Sequence, residues 1–264
     1  MLSQMMFSQT LAIVLNTFRE AVRDRVLYNL IAFALILIAS ALLFGEISIG
    51  IQKTILINVG LSSISIFGLL ISIFLGIGLV YKEIEKRSLY TLLSKPIRRH
   101  QFIVGKFLGL NFTLLVNTVF MSAGLWAALY YLMRQFEPQD QFLWVAIYFI
   151  LLSLSLVTAL CLFFSCFATP VLSAIFTLLV YIIGNFSADI RTFGELTQNN
   201  LLKGLSVFLY YLLPNFSDFN IAAWVSHGKA VAPRLILLNT LYTLIYGGIL
   251  VAASALIFSR KDLK

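Results

Sequence analysis

The chain has 264 residues, of which 60% are hydrophobic and 11% are charged, and its mean hydropathy is +0.95. A soluble domain carries roughly 25% charged residues, so this chain has too few polar side chains to cover a water-facing surface, and most of it is predicted to lie in lipid. The formal net charge of +8 is divided among short segments between apolar runs, which favours membrane topology over a nucleic-acid partner.

Residues 1–25 are predicted to form an amphipathic elbow helix at a membrane surface. Leu11, Leu15 and Phe18 recur at helical spacing, whereas Arg19 and Arg23 fall on the opposite face. Such a helix lies with its apolar stripe at the acyl boundary and its arginines among the headgroups. Two roles remain open: an anchor that orients the first span, or an elbow that moves with the membrane domain. The long charged stretch before the first apolar run argues against a cleaved signal peptide.

Six apolar runs are predicted to cross the membrane, which takes about 20 mostly apolar residues each. They are 26–46, 55–81, 107–132, 142–167, 171–187 and 235–258. Only Ala168-Thr169-Pro170 separates the fourth run from the fifth, and proline favours a helix boundary there. The predicted fold class is therefore all-α integral membrane, with six transmembrane helices in a single domain over residues 1–264.

A further apolar stretch, 201–213, is too short to cross a membrane. Its 13 residues make about 20 Å of helix, against a hydrocarbon core of about 30 Å. It is predicted to be a short re-entrant or interfacial helix before the last span, within a 188–234 segment on the extracytoplasmic side. That segment gates the outer side, meets an accessory protein, or caps the bundle passively.

The basic residues set the orientation. Of the 19 lysines and arginines, 13 lie in the N-terminal segment, the 82–106 loop and the C-terminal tail. Because cytoplasmic loops carry an excess of basic residues, both termini and the 82–106 loop are predicted to lie in the cytoplasm, in a multi-pass protein of the cell inner membrane.

The 82–106 loop contains a candidate docking helix. Acidic residues precede basic and apolar ones, Pro96 ends the helical pattern, and three leucines share one face. An apolar ridge with charged flanks is typical of a helix that docks in a groove on a soluble partner; the alternative is a solvated loop that carries positive-inside charge. The candidate contact residues are Glu83, Glu85, Arg87, Leu89, Leu92 and Leu93.

Small and amide side chains within the spans suggest packing and pathway roles. Gly68, Ser72 and Gly76 are four residues apart in the second span, where small residues let helices approach closely; packing within the chain is favoured over a dimer contact. Asn111 and Asn117 in the third span are candidate pathway residues, or they hydrogen-bond to a neighbouring helix.

The sequence offers no sign of a catalytic or metal site. Cys161 and Cys166 lie in one apolar run, as small buried side chains do, and His100 and His227 have no companion ligands nearby. There is no Gly-rich phosphate loop ending in Lys-Ser/Thr. The middles of the spans also lack ionisable residues, which argues against a transporter driven by a proton or ion gradient.

The loop resembles the first cytoplasmic loop of ABC-2-type permeases. The matching residues are Glu83-x-Glu85-Lys-Arg-Ser-Leu-Tyr-Thr-Leu-Leu-Ser-Lys-Pro, then Arg99 and Gly105-Lys106-Phe-Leu-Gly109. Three further segments are most similar to the branch associated with maturation of multicopper enzymes. They are Thr17-Phe18-Arg19-Glu20-Ala21, Leu213-Pro214-Asn215-Phe216 and the closing Phe258-Ser-Arg-Lys-Asp-Leu263. The chain departs from the pattern at Arg98, where relatives often have a serine that can cap the third helix.

This resemblance implies a partner for the chain. A cytoplasmic ABC ATPase subunit would bind and hydrolyse ATP, a second permease subunit would complete the membrane pathway as a homo- or heterodimer, and the loop helix would couple the two. The chain itself would be no enzyme and would hold no cofactor or metal. The competing classes are a membrane-embedded lipid enzyme and a non-enzymatic scaffold or channel, and the sequence does not indicate the substrate.

Overall fold

The computed structural model describes residues 2–47, 50–85, 99–135, 137–197 and 199–260, and all regular structure within them is helical. This confirms the predicted all-α class. The helices are α1 Leu2–Val22, α2 Arg25–Ile47, α3 Gln52–Glu85, α4 Arg99–Met133, α5 Phe142–Ser165, α6 Pro170–Asn185, α7 Ser187–Leu196, α8 Asn200–Leu212, α9 Ala222–Ser226 and α10 Pro233–Arg260, with 3₁₀ turns at Pro138–Gln141 and Ser217–Phe219.

Among the described residues, five helices are long and apolar enough to cross a membrane: α2, α3, α4, α5 and α10. A sixth span requires α6 and α7 together, which are bent by 55° at Phe186. The sequence predicted one span over 171–187, but α6 ends at Asn185 and its 16 residues make only about 24 Å of helix. The described part of the chain therefore contains five or six candidate spans. Pro170 opens α6, as the sequence predicted, because its fixed φ suits the first helical turn.

Helices α3 and α5 form a close seam at the centre of the bundle. The Ser72 and Thr158 hydroxyls are hydrogen-bonded at 3.0 Å. A Cβ added to Gly68 would lie 2.6 Å from the Leu154 side chain, and one added to Gly76 would lie 2.9 Å from that of Cys161. The small-residue stripe is thus used inside the chain, as predicted, because it lets the two backbones approach closely.

Helices α3 and α4 are the longest described elements, with 34 and 35 residues. At 1.5 Å per residue each is about 50 Å long, so both exceed a hydrocarbon core of about 30 Å. Helix α4 begins at Arg99, eight residues before the predicted span, and α3 ends at Glu85. We call the end of the bundle at Glu85 and Arg99 the loop end, and the end at Gln52 and Met133 the far end.

Helices α7 and α8 form a hairpin at the far end. They cross where Gly194 meets Ser206, since a Cβ on Gly194 would overlap the Ser206 side chain. Asn199 caps α8 by accepting a hydrogen bond from the Leu201 backbone N–H at 2.9 Å. The apolar face of α8, which includes Leu201, Leu205 and Phe208, is largely exposed. The predicted 201–213 helix thus corresponds to α8, and its place relative to a membrane stays a prediction.

Candidate functional site

At the loop end, α1 packs lengthwise on α4 through two glycines. A Cβ on Gly105 would lie 2.8 Å from that of Ile13, and one on Gly109 would lie 2.6 Å from that of Thr17. The Phe18 and Phe112 rings meet edge to face, with centroids 4.9 Å apart. Because side chains larger than hydrogen would push the helices apart at both glycines, the Gly-Lys-Phe-Leu-Gly stretch of α4 forms a notch for α1.

Lys106 lies in this notch as a buried cation. Its side chain is 1% exposed, and its Nζ is 3.6 Å from Glu20 Oε2 and 5.7 Å from the centroid of the Phe102 ring. The sequence predicted Lys106 as one of the basic residues of the 82–106 loop. The structure instead places it inside α4, where it forms an ion pair with the last turn of α1.

The predicted elbow residues lie on α1 as the sequence placed them. Phe18 is half-buried against α4, Arg19 and Arg23 are exposed, and Leu11 and Leu15 are exposed on an apolar face. A turn at Arg23–Asp24 separates α1 from α2, and the Asp24 carboxylate accepts a hydrogen bond from the backbone N–H of the first turn of α2 at 3.0 Å. Whether α1 lies in a membrane interface stays a prediction.

The candidate docking residues are only partly within the described residues. Glu83 and Glu85 belong to the last turn of α3, whereas Arg87, Leu89, Leu92 and Leu93 lie outside the described residues. Described helix resumes at Arg99, so the two flanking helices end and begin at the loop end of the bundle.

Asn111 and Asn117 have different surroundings in the described part of the chain. Asn111 is half-buried and donates a hydrogen bond to the Phe107 carbonyl of its own helix at 2.9 Å. Asn117 is 5% exposed, and its Nδ2 has no hydrogen-bond partner among the described residues. Their role in a pathway stays a prediction.

A polar cavity of 210 Å³ lies in the far half of the bundle, between α3, α5, α6 and the 216–222 segment. Its walls include apolar side chains such as Leu61 and Ile150, and the Phe216 and Phe219 rings. Every polar group that lines it is uncharged: Ser62, Ser65, Ser153, Tyr181, Asn185 and Asn220. The sequence did not indicate this cavity, because its polar residues come from three helices and a turn that only the tertiary fold brings together.

Asn215 holds the segment that closes this cavity. Its Oδ1 accepts hydrogen bonds from the Ser187 and Ser217 hydroxyls, each at 2.6 Å, and its Nδ2 donates to the Asp218 carboxylate at 2.8 Å. Its backbone N–H donates to the Tyr242 hydroxyl at 2.9 Å. The turn after α8 is therefore tied both to the start of α7 and to α10.

Next to it, the Phe216 backbone N–H donates to the carbonyl of Gly184 at 2.9 Å, and the Phe216 ring packs on Gly184. A side chain on Gly184 would overlap the backbone carbonyl of Pro214. The Leu-Pro-Asn-Phe stretch that sequence analysis noted thus fixes the end of α6, where the chain bends into α7.

A second charged cluster closes the far end. Lys53, at the start of α3, contacts Glu137 at 2.7 Å and Asp140 at 2.6 Å in the connection between α4 and α5. Asp140 is 3% exposed and also accepts a hydrogen bond from the Glu137 backbone N–H at 2.8 Å. Thr54 donates to the Ser226 carbonyl at the end of α9. Three chain segments that are distant in sequence are thereby held together.

The family model for ABC-2 family transporter proteins matches residues 11–263, nearly the whole chain. This chain belongs to that family. Membership makes it a membrane component of transport that is not itself catalytic, and it implies an ATPase partner. No curated protein matches the sequence as a relative. The α1 notch, both flanks of the 86–98 segment and the polar cavity all fall within the matched residues.

Proposed function

We propose that this chain is the permease subunit of an ABC-2 transporter, which moves a substrate across the membrane by alternating between conformations. ATP hydrolysis in a separate cytoplasmic subunit drives the change, and that subunit docks on the 82–106 loop. The family match over residues 11–263 carries this proposal, and the positive-inside charge of the loop supports it.

The geometry of the loop end supports a docking role. Helices α3 and α4 are each about 20 Å longer than a hydrocarbon core, so they have the length to carry the loop clear of the headgroups. Glu83 and Glu85 then mark the end of one stem, and Arg87, Leu89, Leu92 and Leu93 are the proposed contact residues beyond it. A push on this loop would act directly on the two longest helices.

Copurification tests the proposal. The full chain is purified in mild detergent from its native membrane, and the copurifying proteins are identified by mass. We expect a stoichiometric soluble protein with a Gly-rich phosphate loop. Leu93→Asp should remove it by placing a charge on the apolar ridge, whereas Thr91→Asp, which adds the same charge to the opposite face of the proposed helix, should retain it.

A chain that purifies in stable form without any ATPase would refute the permease proposal and favour a scaffold or channel. An ATPase that stays bound to the Leu93→Asp variant would leave the permease proposal standing but refute the docking surface. Membrane insertion of both variants is checked by their yield in the membrane fraction.

The remaining parts of the proposal concern topology and assembly. Both termini would face the cytoplasm of the inner membrane, two permease subunits would form the transporter, and the chain would fall in the branch associated with multicopper enzyme maturation. The large exposed side chains of α6, such as Val171 and Leu179, leave an apolar face for lipid or for the second subunit. Native mass measurement of the complex counts the subunits, and reporter fusions at each terminus test the orientation.

A further inference from the structure

The cavity in the far half of the bundle contains hydrogen-bonding groups that the protein does not use. The Ser62, Ser65 and Ser153 hydroxyls line it, and none of them has a hydrogen-bond partner among the described residues. The Tyr181 hydroxyl, on the opposite wall, likewise has none within the described part of the chain.

Other hydroxyls in these same helices are satisfied locally. Ser63 donates to the Val59 carbonyl at 2.7 Å, Thr158 to the Leu154 carbonyl at 2.8 Å and Thr177 to the Ser173 carbonyl at 2.7 Å. Bonding to the carbonyl four residues earlier is open to any serine or threonine in a helix. The cavity serines are therefore distinguished from their neighbours by hydroxyls that remain available.

The lining selects a ligand that is polar but uncharged. Ser62 and Asn220 are exposed, so the cavity is open on one side, and a charged group inside it would lose part of its hydration and find no counter-charge among the lining residues. A purely apolar group would displace water from the hydroxyls and leave them unpaired, which costs free energy. A group that both donates and accepts hydrogen bonds suits this site, and the Tyr181 and Phe216 rings, with centroids 5.0 Å apart, offer an aromatic wall.

We propose that this cavity binds an uncharged, hydroxyl-rich group of the transported substrate, such as a sugar ring or another polyol head group. Its 210 Å³ exceeds the ~30 Å³ share of one liquid water and falls below the roughly 300–1,000 Å³ of complete small-molecule pockets. It therefore holds a head group and leaves the rest of the molecule outside. The identification of the ligand as a transported substrate rests on the proposed permease function. The binding of a hydroxyl-rich group in this cavity does not depend on that function.

Cysteine protection tests this site in the full chain reconstituted in lipid nanodiscs. Ser65→Cys places a thiol in the cavity, and its modification by a water-soluble methanethiosulfonate is followed with and without octyl maltoside as the neutral probe. Octyl phosphocholine, whose zwitterionic head group carries one positive and one negative charge, is the ionic probe with the same alkyl chain. Ser63→Cys is the matched control, because Ser63 is 2% exposed and does not line the cavity. The native Cys161 and Cys166 are both buried, and the unmodified chain serves as the blank.

We expect Ser65→Cys to react and Ser63→Cys to stay unreactive. The maltoside should slow the reaction in a saturable way, and the phosphocholine should not. Adding Ser62→Ala and Ser153→Ala should raise the maltoside concentration needed for half protection by about tenfold, because two hydrogen bonds are lost.

Three results would overturn the proposal: a Ser65→Cys thiol that never reacts, equal protection by both probes, or no protection by the maltoside, which would mean that the cavity holds water only. Protection does not require the ATPase. If an ATPase copurifies with the chain but the maltoside gives no protection, only this binding site is rejected. If the maltoside protects the thiol but no ATPase copurifies, only the transport role is rejected.

Discussion

The ion pair between the buried Lys106 and Glu20 allows a quantitative prediction of how strongly α1 is held on α4. The Lys106 side chain is 1% exposed, that of Glu20 is 35% exposed, and the charged atoms are 3.6 Å apart. At an effective dielectric constant of about 20, unit charges at this distance attract by about 5 kcal/mol. Because Glu20 is partly solvated and both groups pay for desolvation, we expect only about 1–3 kcal/mol of this to appear as stability.

The two partners should respond differently to substitution. Glu20→Gln removes a negative charge beside a buried cation and should cost about 1–3 kcal/mol of the free energy of unfolding. Lys106→Met removes the buried charge and keeps much of its volume, while Glu20 can be hydrated, so it should cost less than about 1 kcal/mol. The double variant should be no less stable than Lys106→Met alone.

Thermal unfolding of the purified chain in a single detergent gives the order of stability. Glu195→Gln is the matched control, because Glu195 pairs with Arg191 at an exposed surface, where an ion pair contributes little. A Glu20→Gln variant that unfolds at the wild-type temperature would refute the reasoning. So would a double variant whose loss equals the sum of the two single losses, since that would mean the two side chains do not interact.

Three further predictions follow from the packing and the charges. Gly76→Ala should destabilise the chain by about 1–3 kcal/mol, because the new methyl overpacks the α3–α5 seam. Gly78→Ala is the control and should not destabilise the chain, because its methyl meets no atom within 4 Å. Thermal unfolding compares the two variants. Partial burial raises the pKa of Asp218 above its ordinary 3.8. Its contribution to stability is therefore complete below pH 3.8 and is lost as pH rises through the folded-state pKa, and Asp218→Asn should flatten this part of the pH–stability curve. Gly105→Leu should destabilise the chain by about 1–3 kcal/mol, because its side chain would push α1 away from α4 at the notch; an unchanged unfolding temperature would contradict this packing.

The apolar runs predicted the membrane helices well because burial in lipid is encoded residue by residue. The run 142–167 corresponds to α5, Phe142–Ser165, and the run 235–258 lies within α10, Pro233–Arg260. Helix ends were less predictable. Hydropathy reports where lipid surrounds the chain, whereas α4 continues through polar residues to Arg99.

Properties that depend on contacts between helices were mostly beyond the sequence. Gly68, Ser72 and Gly76 were the exception, since small residues four apart indicate a close helix contact. The burial of Lys106 depends on α1 lying across it, and the bend at Phe186 depends on contacts that the turn around Asn215 makes. The hydrophobic periodicity of a single helix predicts neither the burial of Lys106 nor the bend at Phe186. The proposed docking residues from Arg87 to Leu93 lie outside the described residues, so their role stays a prediction.

Helix α3 connects the two proposed functional regions. It ends at Glu85 beside the proposed docking loop, and it carries Ser62 and Ser65 in the wall of the cavity. The seam with α5 has no room for even one methyl at Gly76, and the Ser72 and Thr158 hydroxyls are hydrogen-bonded across it, so α3 and the Ser153 wall of the cavity are closely packed together. The α6 wall and the turn held by Asn215 form the opposite side. If the proposed docking loop pulls on α3, we expect the cavity to change by displacement of its α3–α5 side relative to α6 and that turn, because the α3–α5 seam is the more tightly packed boundary.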